Sequence, residues 1–194
     1  MPSSELRSQP ADPSPGERGR EAAVRLARKQ FLDGRRLEMR TIAEELGVSR
    51  MTLHRWVGSR DKLLGEVNWA LARPTLDQSR TAAAGTGVDA VAETLQRFIV
   101  AVRAAPFMRA FLKQEGEIAL RVLTTSSGDT QRNFIGYVRA LLLEELPEHD
   151  LRLPVDDMAY LVVRIAESFC YVDLITGDEP DPAKVGPAIR ALLS

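Results

Sequence analysis

One stretch decides the fold: residues 40–64 read RTIAEELGVSRMTLHRWVGSRDKLL. Ile42 and Leu46 lie four positions apart, so the two side chains share one face of a short helix. Gly47 follows at once, and glycine adopts the left-handed conformation that ends many helices at the lowest cost. The first half of the stretch therefore predicts a short helix that stops at a tight turn.

The second half of the stretch predicts another short helix. Ser49 can cap its start, and Leu53 and Val57, again four positions apart, point inward. Two short helices joined by a glycine-containing turn form a helix-turn-helix, whose second helix can enter the major groove of DNA. Spacing alone leaves a second interpretation open, a helical hairpin in an ordinary all-α protein.

The outward face of the second helix favours the DNA interpretation, because it carries cations and almost no acid. Arginine forms paired hydrogen bonds with guanine edges or with phosphates. A face that is only solvated would more often include Glu and Asp. The outward positions are Arg50, Met51, Thr52, His54 and Arg55, and Arg60 follows in the next helix.

The same residues resemble a known family. The runs Thr41–Arg50 and Thr52–Leu64 are similar to the signature of TetR-type transcriptional regulators, and the resemblance covers about residues 18–68. The run Arg55–Arg60 further resembles a subgroup of quorum-signal-degradation regulators. The resemblance implies an N-terminal helix-turn-helix domain followed by a helical bundle.

Three positions depart from the pattern of that family. His54 stands where Tyr is common, Met51 where Gly or Pro is common, and Arg60 where Lys is common. A histidine can still donate to a phosphate, and an arginine keeps the positive charge. We expect Met51 to change the base preference without abolishing DNA binding.

The resemblance also implies a role and partners. It implies a homodimer that binds a palindromic double-stranded operator, represses transcription and is released by a small apolar effector, with lactones or acyl-lactones as the class that the subgroup suggests. The effector would shift helix 60–73 and change the spacing of the two recognition helices. Phosphate contacts are expected from His54 and Arg60, and Arg55 can contact either bases or phosphates. The residues expected to contact DNA are Thr41, Ser49, Arg50, Met51, Thr52, His54, Arg55 and Arg60.

The distribution of charge agrees with a DNA-binding N-terminal part. The chain of 194 residues has a formal net charge of −1. Residues 14–73 contain thirteen Lys or Arg against eight Asp or Glu, whereas residues 74–194 contain twelve against seventeen. The basic part attracts phosphate, and the acidic part should face away from it.

Composition also bears on the cellular compartment. The single cysteine, Cys170, excludes an intrachain disulfide and fits a reducing cytoplasm. No apolar run approaches the roughly eighteen residues that span a bilayer, and the first residues lack the apolar core of a signal peptide. We therefore expect a cytoplasmic protein without a membrane segment.

Helical periodicity without any strand pattern predicts an all-α chain with two domains. Residues 1–16 contain four prolines and are expected to form a disordered arm, either a loose end or a minor-groove contact. Residues 17–64 are expected to form the three-helix DNA-binding domain, and residues 65–194 the helical ligand-binding and dimerisation bundle. Pro74 is expected to bend or interrupt the fourth helix.

The end of the chain carries the predicted dimer interface. Residues 155–175 are apolar almost all round, and a helix of that kind must be buried on all sides. Because two-fold dimers are the commonest soluble oligomers, helices 155–175 and 183–193 are the predicted homodimer contact. A central helix in a monomeric bundle is the alternative.

The C-terminal bundle is the expected place for an effector pocket, since small ligands favour mostly apolar pockets with a few polar groups. For any single aromatic residue, plain core packing is the alternative. Arg164 and Glu167, three positions apart, can also simply pair with each other. The candidate pocket residues are Trp69, Phe98, Val102, Met108, Phe111, Asn133, Phe134, Tyr137, Arg164, Glu167, Phe169 and Tyr171.

The sequence shows no catalytic or metal-binding pattern. Its two histidines, His54 and His149, lie in unrelated segments, and Cys170 has no histidine near it in an apolar helix. We therefore expect neither an enzyme nor a cofactor. The rival hypothesis is a helical protein-interaction module with no DNA target, which predicts weak association with any duplex regardless of salt.

Overall fold

The computed structural model describes residues 14–127 and 129–194. In that part of the chain every regular element is helical, which confirms the predicted all-α class. The N-terminal arm predicted for residues 1–16 lies mostly outside the described residues. The helices are α1 (Pro15–Leu32), α2 (Met39–Glu45), α3 (Arg50–Val57), α4 (Arg60–Ala82), α5 (Val88–Ala104), α6 (Pro106–Thr124), α7 (Thr130–Glu145), α8 (Val155–Cys170), α9 (Val172–Ile175) and α10 (Val185–Leu193).

Serine side chains cap three of the first four helices. Ser14 Oγ accepts from Glu17 N at 3.3 Å, and the Glu17 carboxylate accepts from Ser14 N at 2.6 Å, which completes a capping box for α1. Ser49 Oγ accepts from Thr52 N at 3.0 Å at the start of α3, and Ser59 caps α4 in the same way. These caps satisfy amide groups that would otherwise lack partners, and they set the helix starts within a residue or two of the predicted ones.

Helices α1, α2 and α3 form a small core. The predicted inward residues Ile42, Leu53 and Val57 are buried, together with Ala27 and Phe31 of α1. The backbone of the glycine between α2 and α3 has φ of 65°, as the predicted turn requires. The helix-turn-helix prediction is therefore confirmed in its local geometry.

Helix α4 runs further than predicted, because Pro74 does not interrupt it. A proline inside a helix removes one backbone hydrogen bond and crowds the preceding turn. The helix nevertheless continues to Ala82, since Leu76 and Ser79 beyond the proline are buried and α4 packs along α5 and α7. The predicted domain boundary between residues 64 and 65 thus falls inside one continuous helix.

The remaining helices assemble the C-terminal bundle. Helix α6 consists of two helical segments that meet at a kink at Glu115, where φ is −138° and ψ is 42°. The helix predicted for residues 155–175 divides at Tyr171, whose backbone is not helical, into α8 and the short α9. Helix α8 packs against α7 and α10, and α10 packs against α5. No helix in the described part of the chain is long and apolar enough to cross a bilayer.

Candidate DNA interface and effector cavity

The outward face of α3 is open to solvent. Arg50, His54 and Arg55 are exposed, and the side chain of Met51 is 82% exposed. Among the residues that the structure describes, neither Arg50 nor Arg55 has an ion-pair partner. Four large polar or polarizable side chains therefore project from one helix with no acid beside them on it, an arrangement suited to a polyanion.

Some of the other residues predicted to contact DNA stabilise the helix-turn-helix itself. Ser49 Oγ is the cap of α3 and lies 2.9 Å from Thr52 Oγ1. Thr41 is half-buried on α2. All three hydroxyl side chains lie at the start of α2 or α3.

Trp56 of α3 holds the recognition helix against α1. A β-carbon added to Gly19 would lie 2.5 Å from Trp56 Cη2, so only glycine leaves room for the indole there. The ring reaches as far as Gly16, where an added β-carbon would be 3.9 Å from Trp56 Nε1. Two glycines one turn apart therefore make a groove on α1 that receives the tryptophan, and the sequence analysis did not single them out.

Arg60 does not point outward as predicted, because its guanidinium is engaged within the chain, and its phosphate contact stays a prediction. Its Nε donates to the Leu37 carbonyl oxygen at 2.7 Å, and its Nη2 donates to the two carboxylate oxygens of Glu115 at 2.8 and 2.6 Å. The Arg60 side chain is 21% exposed and that of Glu115 only 7%. The Arg60 guanidinium is paired with the buried carboxylate of Glu115 on α6. The two residues are 55 positions apart, and no local pattern indicates their contact.

Aromatic rings fill the junction between α1 and α6. Phe31 of α1 contacts Phe107 at a ring distance of 5.6 Å and Phe111 at 5.2 Å. Phe111, a predicted pocket residue, therefore lies in this junction and not at the cavity. Phe107 also lines a cavity of the bundle, so one side chain contacts both α1 and the interior of the bundle.

An apolar cavity of about 80 Å³ lies inside the C-terminal bundle. Its walls come from α4, α5, both ends of α6, the first turns of α7 and the end of α8. The predicted residues that line it are Trp69, Phe98, Val102, Met108, Phe134, Glu167 and Tyr171. The lining residues that were not predicted are Asn68, Leu71, Ala72, Thr75, Ile99, Ala101, Ala105, Phe107, Leu123 and Thr130.

Four further predicted pocket residues lie elsewhere. Asn133 and Tyr137 line a surface groove of α4 and α7, where the Arg73 guanidinium stands 4.9 Å from the centre of the Tyr137 ring. Arg164 pairs with Glu167 and donates to the Thr124 carbonyl oxygen at 3.1 Å. Phe169 is half-buried and does not line the cavity. The rotation of each helix about its axis decides which of its side chains face the cavity, and that rotation is set by packing against the other helices.

The apolar wall contains a buried amide side chain and a buried carboxyl side chain, those of Asn68 and Glu167. Asn68 Nδ2 donates to the Leu64 carbonyl oxygen at 2.9 Å, and its Oδ1 is buried without a hydrogen-bond partner. Glu167 Oε1 accepts from the Gln131 amide at 2.6 Å once that amide is oriented to satisfy its neighbours. Burial raises the pKa of the Glu167 carboxyl to about 7, although Arg164 and Gln131 oppose the shift. Asn68 was not predicted to line the cavity. A polar residue in an otherwise apolar helix is the pattern that predicts Glu167, and Asn68 fits the same pattern.

Cys170 and the outer face of α8 complete the bundle. Cys170 is buried, and burial raises the pKa of its thiol to about 12, which keeps it protonated and unreactive. On the opposite side of α8, Tyr160 is 50% exposed and Ile165 is half-buried. Helix α8 therefore has one face in the core and one outer face of mixed polarity without a cover in this single chain. Asp157, Arg164 and Ser168 lie on that outer face as well.

Comparison with known proteins agrees with this architecture. The family of tetracyclin repressor-like C-terminal domains matches residues 86–194, more than half of the chain. The structure of the R. erythropolis transcriptional repressor QsdR, of the TetR family, is similar with a TM-score of 0.83 and 26% identity, over 92% of this chain and 96% of that one. No curated protein sequence matches the chain.

A second solved structure supports the fold alone. The TetR family repressor AlkX from Dietzia sp. strain DQ12-45-1b, implicated in biodegradation of n-alkanes, has a TM-score of 0.51 and 19% identity, over 93% of this chain and 98% of that one. An N-terminal helix-turn-helix joined to a C-terminal helical bundle is the architecture that the chain shares with these regulators. The chain belongs to the TetR family of DNA-binding regulators, and it is not an enzyme.

Proposed function

We propose that the protein is a dimeric repressor that binds a palindromic operator and leaves it when a small, largely apolar effector fills the bundle cavity. The exposed face of α3 carries this proposal, because Arg50, His54 and Arg55 are unmatched by any acid on that helix. Base contacts from such a face would set the sequence preference, and phosphate contacts would set affinity and its salt dependence. Repression is favoured by the similarity to the repressor QsdR.

The cavity supports control by an effector. Its wall is mostly aliphatic and aromatic with few polar groups, the composition that small ligands favour. At about 80 Å³ it has room for several waters and must widen to admit a molecule of drug size. Lactones or acyl-lactones are the class that we propose, since the recognition-helix sequence resembles the quorum-signal subgroup and the structure resembles QsdR.

Two contacts can carry the effector signal to the DNA-binding helices. Helix α4 provides Asn68 and Trp69 to the cavity and begins with Arg60, which is bonded to the loop before α2. Phe107 lines the cavity and contacts Phe31 of α1. A ligand that widens the cavity must move at least one of these walls, and it changes operator affinity only if it binds the two arrangements differently.

The uncovered face of α8 is the proposed dimer contact, together with α10. Tyr160 and Ile165 would be buried against a second copy, and the predicted segments 155–175 and 183–193 lie side by side through the packing of α8 on α10. Two copies joined in this way would present two α3 helices to two half-sites.

Selection from a random duplex library tests the proposed function. The purified full chain is mixed with the library at two salt concentrations, and the retained duplexes are sequenced. We expect an enriched motif with two-fold symmetry and binding that weakens steeply as salt rises. If no motif is enriched and the amount of bound duplex is the same at both salt concentrations, the result would instead support the protein-interaction alternative.

A further inference from the structure

Two residues that line the bundle cavity each carry a buried oxygen that accepts no hydrogen bond within the protein. Asn68 is 3% exposed, and its amide orientation is set by the bond from Nδ2 to Leu64, so Oδ1 is the atom left without a donor. Glu167 is 5% exposed, and its Oε2 likewise accepts no hydrogen bond. The Arg164 guanidinium lies 2.8 Å from Oε2 but is not aligned to donate to it.

The two threonine hydroxyls of the cavity wall are already engaged. Thr130 Oγ1 donates to the Gly65 carbonyl oxygen at 3.1 Å, and Thr75 Oγ1 donates to the Leu71 carbonyl oxygen at 3.1 Å. Gln131 serves the other oxygen of Glu167. A buried acceptor without a donor is costly, so most proteins satisfy such atoms with protein, water or ligand.

We propose that the effector is an otherwise apolar molecule with an N–H donor, of the carboxamide class, that satisfies Asn68 Oδ1 and Glu167 Oε2. The inference rests on the proposed function, since it assumes that the cavity is the effector site. Within the proposed class of lactones and acyl-lactones, it favours those whose acyl chain is joined through an amide over simple lactones, which only accept hydrogen bonds. A free fatty acid is rejected, because its carboxylate would meet two further acceptors.

Three probes of equal carbon number separate these chemistries: hexanamide, γ-hexalactone and hexanoate. Trp69 lines the cavity and reports on its contents, and Trp56→Phe removes the only other tryptophan. Fluorescence titrations of this full-length reporter at pH 8 keep Glu167 ionised, above its raised pKa. We expect hexanamide to bind at least about tenfold more tightly than γ-hexalactone, and hexanoate to bind no more tightly than the lactone.

Matched variants assign the preference to the two acceptors. Asn68→Leu removes one unmet acceptor from the cavity, and Glu167→Met removes the other at similar volume. Each should reduce the preference for hexanamide over the lactone to about threefold or less. Thr94→Val is the control, because Thr94 Oγ1 is also buried without a partner but does not line the cavity. It should leave the preference intact.

Several outcomes would overturn the inference. They are a lactone or hexanoate affinity that equals that of hexanamide, no saturable binding of hexanamide, or an unchanged preference in both cavity variants. None of these results concerns the operator, since duplex selection uses the protein without effector. Failure of the effector class is therefore distinguishable from failure of the regulator function.

Discussion

The guanidinium of Arg60, the first residue of α4, bonds both carboxylate oxygens of Glu115 at the kink of α6. Its Nε also bonds the Leu37 carbonyl oxygen in the loop before α2. One side chain therefore joins the helix-turn-helix, the connecting helix and the effector bundle. Glu115 is nearly buried, and Arg36 Nε also lies 3.4 Å from its Oε2, so two guanidinium groups face one carboxylate.

We expect Glu115→Gln to destabilise the protein by about 2–4 kcal/mol, since it leaves a partly buried guanidinium without its counter-charge. Urea unfolding measures the change. Glu117→Gln is the matched control, an exposed carboxylate two residues along the same helix, and it should unfold like the wild type. A Glu115→Gln protein as stable as this control would show that the pair contributes nothing.

Arg60→Gln tests the same pair from the other side, through DNA. The contact with Glu115 predicts reduced stability and a salt dependence of operator affinity equal to that of the wild type. Loss of a phosphate contact would instead lower the slope of log affinity against log salt by about one. A lowered slope would restore the phosphate role that the sequence suggested for Arg60.

Arg55→Ala should weaken operator binding by about 1–3 kcal/mol and relax the preference at one base position, if the side chain reads a base. Fluorescence anisotropy with the selected operator and a scrambled duplex measures both effects. Arg97→Ala, which removes an exposed arginine from α5, should change neither affinity. An equal loss on both duplexes would assign Arg55 to phosphate.

Gly19→Ala should destabilise the protein by about 1–3 kcal/mol, because the new methyl group would collide with the Trp56 ring. Operator affinity should fall as well, since Trp56 fixes α3 against α1. Gly136→Ala is the control: this helical glycine has no atom within 4 Å of the added carbon, so the change should stabilise α7 by about 0.5–1 kcal/mol. Trp56→Phe should partly rescue Gly19→Ala in a double-mutant cycle, and additive effects would exclude the steric explanation.

The pH dependence of stability should report on Glu167. Burial raises the pKa of this carboxyl from 4.5 to about 7, so the folded state holds the proton more strongly than the unfolded state. The resulting stabilisation is fully present below pH 4.5 and is lost as pH rises to about 7.

Glu167→Gln should remove that dependence. The unfolding free energy of the wild type relative to the variant should fall by on the order of 3 kcal/mol between pH 4.5 and pH 8. Urea titrations across this range measure the difference, in which the other titrating groups cancel. Glu148→Gln, an exposed carboxylate, should follow the wild-type curve. A constant difference between wild type and Glu167→Gln would contradict the shift.

Tyr160→Glu should convert a dimer into a monomer, because it places a charge in the middle of the proposed α8 contact. Sedimentation equilibrium measures the mass at several concentrations. Leu143→Glu is the control, an exposed apolar residue of α7 outside the contact, and it should leave the mass unchanged. A wild-type protein that stays monomeric at all concentrations would remove the contact altogether.

The features that could be predicted from sequence depend on residues close together in the chain. The serine caps, the glycine turn and the inward spacing of Leu53 and Val57 are relations over three or four residues, and they place the DNA-binding helices within a residue or two. The continuation of α4 through Pro74 depends on burial of Leu76 by other helices, so a purely local rule gave the wrong end.

Contacts between residues far apart in the chain could not be predicted from sequence. Glu115 lies 55 residues from Arg60, and nothing in either segment indicates the other. The cavity brings together residues of five helices, so helix phase alone put Phe111 and Tyr137 on the wrong side. Asn68 was within reach, since an amide in an apolar run carries the same signal as Glu167 on α8.

The inertness of Cys170 makes the chain suitable for distance measurements. Its thiol is buried and remains protonated near neutral pH, so a labelling reagent would find no other sulfhydryl. A cysteine introduced in place of the solvent-facing Met51 would then be the single attachment point in each protomer. Spin labels at that position in both protomers would measure the distance between the two recognition helices, with and without a carboxamide. The difference would give the displacement of the helices in ångströms.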